Sequence, residues 1–142
     1  MAFVPVNEPL MAGNEKNYVN ECIDSGWMSS EGPFVEAFES KVAKRVGRKH
    51  AVAVSNGTAA LDLAVESLGI GPGDEVILPS FTIISCVLQI VRSGAIPVVV
   101  DSNQETLNID VAQVAKKINK KTKAIMVVHI YGLPVDLDPI RS

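Results

Sequence analysis

Four short apolar runs constrain the fold of this chain more than any other feature. They are AVAV (51–54), EVILP (75–79), AIPVVV (95–100) and AIMVVHI (124–130). None alternates with polar residues, which is typical of strands covered on both faces of a parallel sheet. Helical patterns lie between the runs, so the sequence predicts a three-layer α/β/α fold with a mostly parallel sheet.

Helical spacing and end signals predict the intervening elements. The predicted helices are 14–25, a helix that starts at Pro33 and ends before Gly47, Thr58–Leu68, Thr82–Arg92, and one that follows Asp110 as its N-cap. We expect Thr82–Arg92 to be buried because it is almost wholly apolar. Residues 135–142 resemble the start of a helix that stops without a cap, so we expect the chain to be a fragment of something longer.

Composition excludes several classes of partner. The chain has 142 residues, of which 47% are hydrophobic and 20% charged, with a formal net charge of −3. This balance is typical of a soluble globular protein and argues against nucleic acid as a partner. The N-terminus has no signal-peptide pattern and no apolar run could span a bilayer, so we expect a cytoplasmic protein without membrane contact. Cys22 and Cys86 lie far apart and predict neither a disulfide nor a metal site.

The bend SNGT (55–58) joins the first predicted strand to a helix and has two interpretations. The first amides of a helix have no internal partners, so the bend is suited to hold a phosphate. Alternatively, Ser55 or Asn56 only caps the helix. The segment alone leaves both interpretations open.

A dinucleotide site is not indicated. Gly69, Gly71 and Gly73 follow a helix and precede a strand, the reverse of the order in a pyrophosphate loop. We predict that Gly69 ends the helix and that Pro72 and Gly73 form a turn. The bend at 55–58 also lacks the G-x-G-x-x-G pattern, and no acidic residue ends the next strand. A single phosphate is therefore favoured, and a nucleotide-sugar oxidoreductase or epimerase is not.

Several segments together carry a family resemblance. They are SGWMSSEGPFVEAFE, VSNGTAAL, GIGPGDEVILPSFT, GAIPVVVD and TKAIMVVHIYGLPVDLDPI. From about Val6 to the last residue, the chain resembles the N-terminal part of DegT/DnrJ-type nucleotide-sugar aminotransferases. These are pyridoxal-phosphate (PLP) enzymes of the aspartate-aminotransferase fold, fold type I. Within the family, the segments look most like perosamine-synthase-type enzymes.

The resemblance implies specific site residues. Gly57 and Thr58 would bind the phosphate of PLP, and Ile83 stands where the family places an aromatic residue that stacks on the pyridine ring. His129 would line the cofactor pocket, although a histidine at a strand end is often structural. Trp27 would lie near the sugar-nucleotide site, or else cover the first helix as a hydrophobic lid.

The resemblance also implies domain, activity and assembly. Residues 1–142 would be the N-terminal part of the PLP-binding large domain, with a helical segment (1–50), strand–helix units (51–142) and an incomplete C-terminus. Phe81 would pack in the core. The enzyme would transfer an amino group from glutamate to a nucleotide-linked keto sugar. The sugar nucleotide could be GDP-4-keto-6-deoxymannose, which would give GDP-perosamine. The enzyme would be a homodimer.

No lysine of this chain matches the family's Schiff-base context, so we expect no catalytic residue within it and no activity of the chain alone. The alternative is a non-catalytic or truncated relative that binds a phosphorylated ligand or a partner subunit.

Overall fold

The structure, a computed structural model, describes residues 3–5 and 7–141. Val6, where the family resemblance begins, and Ser142, where the last predicted helix ends, lie outside the described residues. The chain forms two compact units, Met1–Ala53 and Val54–Ser142, which are described separately.

The first unit contains two helices, as the sequence predicts. Helix α1 (Glu15–Ser25) ends at Gly26, whose φ of 76° is the left-handed conformation that glycine tolerates best. Helix α2 (Pro33–Arg45) starts with a proline at its first position. The rings of Tyr18 and Phe34 lie 5.4 Å apart between centroids and connect the two helices.

The strand predicted at 51–54 is not formed, and that prediction is wrong. A strand exists only where its backbone pairs with another, and no described segment forms a ladder with these four residues. The amide of Ala53 instead donates to Oε1 of Glu39 over 2.7 Å. Apolar character predicted a strand here but could not identify a pairing partner for it.

The second unit is built on a parallel sheet. Its strands are β1 (Glu75–Pro79), β2 (Ile96–Val100) and β3 (Thr122–Ile125), in the spatial order β2-β1-β3. In the register, Ile77 lies opposite Val98 on one side and Ile125 on the other. The predicted parallel sheet is therefore confirmed for three of the four apolar runs.

Helices cover both faces of this sheet. They are α3 (Gly57–Ser67), α4 (Ile84–Arg92), α5 (Val111–Lys117) and the short α6 (Asp138–Arg141). Val76 and Leu78 of β1 pack with α3 and α4, whereas Ile77 packs with α5 and α6 in a second cluster. Because successive side chains of β1 enter opposite cores, the three-layer α/β/α prediction is confirmed.

Helix α4 is buried on one face only, so the prediction of a buried helix is wrong in part. Cys86, Gln89 and Ile90 are buried, whereas Ile84, Leu88 and Val91 are exposed. A helix in an outer layer presents one stripe to the sheet, and the apolar residues on its other side remain uncovered.

Strand β3 is shifted toward the N-terminus relative to the predicted run at 124–130. Its pairing with β1 reaches only from Thr122 to Ile125, and the amide of Met126 still donates to the oxygen of Ile77 over 2.7 Å. The chain then turns, with Tyr131 at φ 47° and Gly132 at φ 87°. The strand ends because its pairing partner ends, a feature that hydrophobicity does not report.

The last helix also begins later than the predicted start at Val135. Oδ1 of Asp136 accepts from the amide of Asp138 over 3.1 Å, and α6 begins at Asp138. An aspartate side chain that accepts from the backbone two residues later favours a turn over a continuing helix.

Candidate functional site

The N-termini of α3 and α4 meet the loops that follow β1 and β3 at one edge of the sheet, here called the carboxyl edge. Oγ1 of Thr58 lies 3.0 Å from Oγ of Ser85, which connects the first turns of α3 and α4. The rings of Phe81, after β1, and Tyr131, after β3, lie 6.4 Å apart between centroids. In open α/β sheets, ligands bind at this edge.

The N-terminus of α3 has both a cap and two unused donors. Oδ1 of Asn56 accepts from the amide of Ala59 over 2.9 Å, so the predicted cap is present. The amides of Gly57 and Thr58 have no hydrogen-bond partner within the described parts of the chain. The two interpretations of the bend are therefore compatible, because the cap uses a later amide than the two available to an anion.

Packing and backbone conformation within the described residues do not explain the glycine at position 57. A Cβ atom built on Gly57 would meet no heavy atom within 4 Å, and its φ lies outside the left-handed region. Neither packing nor backbone conformation therefore requires glycine. The open space beside the two free amides is suited to close approach of an oxyanion.

Ile83 lies immediately before α4 and two residues from Ser85, at the carboxyl edge. Its side chain is 63% exposed, and its backbone is extended with φ −68° and ψ 142°. An exposed aliphatic side chain close to the free amides of α3 is able to contact the face of a planar ring.

Phe81 is not in the core, contrary to our expectation. Its side chain is 42% exposed, and its ring is tilted by 54° against that of Tyr131. It lies on the loop that leaves β1, before α4 begins. The pair adds an exposed aromatic surface to the carboxyl edge.

His129 lies on the loop that follows β3 and is exposed. Its Nδ1 atom accepts from the amide of Val135 over 2.9 Å, which assigns the proton of the neutral imidazole to Nε2. Nδ1 of His129 therefore has a structural role, whereas Nε2 has no hydrogen-bond partner among the described residues and is available to donate to a ligand.

A buried amide side chain, which the sequence interpretation missed, positions the loop around His129. Asn108 is 5% exposed, and its Oδ1 atom accepts from the amide of Ile130 over 3.2 Å. Its Nδ2 atom donates to the oxygen of Leu133 over 3.1 Å. A polar residue between Leu107 and Ile109 was the only available signal, because its partners lie more than twenty residues away.

Two aspartates follow β2, and both have structural partners. Oδ1 of Asp101 accepts from the amide of Ser102 over 2.8 Å and from Oγ of Ser80 over 3.4 Å. Asp110 is the N-cap of α5, as predicted, and accepts from the amide of Ala112 over 3.0 Å. The hydrogen bond from the Gln113 side chain lowers the pKa of Asp110 below its ordinary value, because it stabilises the ionised carboxylate.

The lysines of the second unit lie away from the carboxyl edge. They are Lys116, Lys117, Lys120, Lys121 and Lys123. All five occur between the end of α5 and the first half of β3, and the oxygen of Lys121 accepts from the amide of Glu75 at the start of β1. In this unit they are therefore grouped at the opposite, amino edge of the sheet.

Trp27 belongs to the first unit, where its ring is half exposed. A Cβ atom on Gly32 would come within 3.0 Å of Trp27 Cε3, so the ring packs closely on the turn before α2. Trp27, Cys22 and Phe34 line a small cavity of about 100 Å³. The ring thus packs beside α1 and still presents surface to solvent.

Other classes of site find no support in the described residues. Cys22 and Cys86 are free thiols. Residues 3–5 and 7–141 contain no group of three or more His, Cys, Asp or Glu side chains that could hold a metal ion. No helix in these ranges has the length and apolar character needed to cross a membrane.

The fold and the carboxyl edge define an α/β domain with a helix terminus suited to a phosphate group. Comparison with known proteins then identifies the family to which the chain belongs. Residues 9–142 match the DegT/DnrJ/EryC1/StrS aminotransferase family, and the chain belongs to that family.

Known proteins resemble the chain along nearly all of its length. It is 51% identical over 139 residues to the GDP-perosamine synthase of Vibrio cholerae, covering 98% of this chain and 38% of that protein. It is 45% identical to the spore coat polysaccharide biosynthesis protein SpsC of Bacillus subtilis, covering 99% and 36%. The PLP form of Spr1654 from Streptococcus pneumoniae superposes with a TM-score of 0.87 at 32% identity, covering 97% and 35%. The chain therefore spans little more than a third of the length of these relatives.

Proposed function

We propose that this chain is the N-terminal part of a PLP-dependent aminotransferase that transfers an amino group, from glutamate, to a keto sugar carried on a nucleotide. The observation that carries the proposal is a pair of amides, at Gly57 and Thr58, that have no partner among the described residues and lie beside open space in a member of an aminotransferase family. Spr1654, which has the same fold over this region, is known in PLP and PMP forms.

The residues at the start of α3 fit the phosphate group of PLP. Two amide donors and the Thr58 hydroxyl converge on one helix terminus, and the dipole of this eleven-residue helix favours negative charge there. Hydrogen bonds to a charged group contribute on the order of 1.5–3 kcal/mol each. The protein thus holds the phosphate through fixed donors that need little reorganisation.

Other residues of the carboxyl edge orient the rest of the cofactor. When bound, PLP supplies an electron sink for chemistry at the carbon that carries the amino group. Ile83 offers an apolar contact to one face of the ring. His129 offers Nε2–H as a hydrogen-bond donor, and Asn108 keeps the His129 loop in place.

The proposed sugar substrate is GDP-4-keto-6-deoxymannose, and the proposed product is GDP-perosamine. The 51% identity to the Vibrio cholerae GDP-perosamine synthase supports this choice. Trp27, half exposed in the first unit, is proposed to contact the nucleotide-sugar substrate. The proposed location is the cytoplasm.

The amine that forms the covalent link with PLP is proposed to come from residues outside these 142. The lysines of the second unit lie at the amino edge, so this unit supplies no amine beside Gly57 and Thr58. The same observation favours the second candidate, a non-catalytic relative that binds a phosphorylated ligand or a partner subunit. A lysine that reacts with PLP in the full-length protein separates the two.

A symmetric homodimer is proposed for the active protein. Ile84, Leu88 and Val91 follow each other at helical spacing on the exposed side of α4. This apolar stripe, hereafter the α4 stripe, is suited to contact a second copy.

A product assay tests the proposed substrate. The full-length protein is incubated with PLP, glutamate and GDP-4-keto-6-deoxymannose, and the sugar nucleotides are analysed by mass spectrometry. We expect GDP-perosamine and an equal amount of 2-oxoglutarate, and neither when glutamate is omitted. Amino transfer to another keto sugar in place of this one would reject the substrate and retain the reaction class.

A further inference from the structure

We propose that Ser85 sets the direction of the Thr58 hydroxyl proton and is thereby a positioning residue for the cofactor phosphate; this inference rests on the function proposed above. Oγ of Ser85 lies 3.0 Å from Oγ1 of Thr58, and either atom could be the donor. The two residues are 27 positions apart and belong to the first turns of different helices. Their contact is therefore a product of the fold and not of local sequence.

A bound anion determines which of the two hydroxyls donates to the other. Each hydroxyl has one proton to donate. If Thr58 donates to Ser85, only its lone pairs remain for a neighbouring phosphate, and these are repelled by the negative charge. If Ser85 donates to Thr58, the Thr58 proton is free to point at the anion. A phosphate at the Gly57 and Thr58 amides therefore favours the order Ser85 to Thr58 to phosphate, in which each bond polarises the next.

Ser85 forms a different kind of hydrogen bond from two other serines of the second unit. Ser67, at the end of α3, and Ser93, directly after α4, donate to helical carbonyl oxygens three residues earlier, over 2.9 and 2.8 Å. Ser85 is the second residue of α4, where no helical carbonyl lies one turn earlier. The Ser85 hydroxyl therefore bonds to a residue of another helix, Thr58 of α3.

The experiment is a double-mutant cycle on PLP affinity in the full-length protein. Dissociation constants for PLP are measured for the wild type, Ser85→Ala, Thr58→Val and the double variant, together with the unfolding free energy of each apo form. We expect Ser85→Ala to weaken PLP binding roughly 2- to 10-fold, the range of one neutral hydrogen bond. The double variant should bind no more weakly than Thr58→Val alone, because Ser85 acts through Thr58.

Two further variants separate positioning from a structural role. Ser85→Thr keeps a hydroxyl and should restore most of the affinity. Ser93→Ala removes a hydroxyl just after the other end of α4, away from Thr58, and should leave PLP affinity unchanged. Wild-type affinity in Ser85→Ala, or additive losses in the double variant, would overturn the proposal. A wild type that binds no PLP would reject the proposed function, and the role of Ser85 with it.

Discussion

The buried side chain of Asn108 donates from Nδ2 to the backbone oxygen of Leu133 over 3.1 Å and accepts from the amide of Ile130 over 3.2 Å. Replacing Asn108 with Ala leaves these two backbone groups without that partner. Each hydrogen bond contributes about 0.5–1.5 kcal/mol net, so we expect the loss of both to lower the free energy of unfolding by urea by about 1–3 kcal/mol.

Gln104→Ala is the matched control for this loss. Gln104 is an exposed amide four positions before Asn108 and makes no hydrogen bond within the described residues. Its removal should leave the unfolding free energy unchanged within about 0.5 kcal/mol. Equal effects of the two variants would show that Asn108 does not hold the His129 loop.

The sheet was predictable from the sequence because its strands are apolar on both faces. Strand β1, at EVILP, sends alternate side chains into two cores, and this leaves a continuous apolar run. The failure at 51–54 and the early end of β3 have a common cause. Both depend on which backbone pairs with which, and the hydrophobic pattern of one segment does not carry that information.

The candidate site was predictable only where its signal is local. The bend at Gly57 and Thr58 was recognised because the helical pattern of α3 follows it directly in the sequence. Ser85 and Asn108 were missed because their partners lie 27 and at least 22 positions away in the chain. The proposed roles of Ile83, His129 and Trp27, and the assignment to a larger PLP-binding domain, stay predictions.

Backbone strain at Leu107 gives a second test. Leu107 has φ 59°, a left-handed conformation that costs a residue with a Cβ atom roughly 1–2 kcal/mol. We expect Leu107→Gly to raise the free energy of unfolding or to leave it unchanged, despite the loss of a half-exposed side chain. Thermal unfolding of the two proteins measures the difference.

Leu133 provides the control at ordinary backbone geometry. It is 48% exposed, against 46% for Leu107, but its φ is −77°. Leu133→Gly relieves no strain and increases the freedom of the unfolded chain, so it should destabilise the protein. A larger loss at position 107 than at position 133 would contradict the assigned strain.

The capping carboxylate of Asp110 predicts a dependence of stability on pH. Its pKa is lowered in the folded protein, chiefly by the hydrogen bond from the Gln113 side chain. A group with a depressed folded pKa stabilises the fold above its unfolded pKa, near 4, and this contribution is lost as the pH falls through the folded pKa.

The Asp110→Asn variant isolates the contribution of the ionised carboxylate to stability, because Asn retains a capping oxygen but does not titrate. Between pH 7 and pH 3, the wild type should lose more unfolding free energy than Asp110→Asn. Parallel pH profiles for the two proteins would mean that the carboxylate contributes nothing to the acid sensitivity.

The α4 stripe predicts the outcome of a charge substitution on assembly. Leu88 is exposed, so Leu88→Glu should fold but resist contact with a second copy, because burial would desolvate the new carboxylate. We expect sedimentation of the full-length wild type as a dimer and of Leu88→Glu with a larger monomer fraction. Ser67→Glu, an exposed position on α3, should sediment as the wild type does. A dimer unaffected by Leu88→Glu would place the interface elsewhere.

The reaction of the PLP-loaded, full-length protein with glutamate tests the central claim most directly, because it requires no sugar substrate. The account predicts that glutamate changes the visible absorbance of the bound cofactor and releases one 2-oxoglutarate per bound PLP. The 142-residue chain alone should show neither effect, because none of its lysines matches the family's Schiff-base context. A folded full-length protein that binds PLP but gives no spectral change and no 2-oxoglutarate with glutamate would contradict the account.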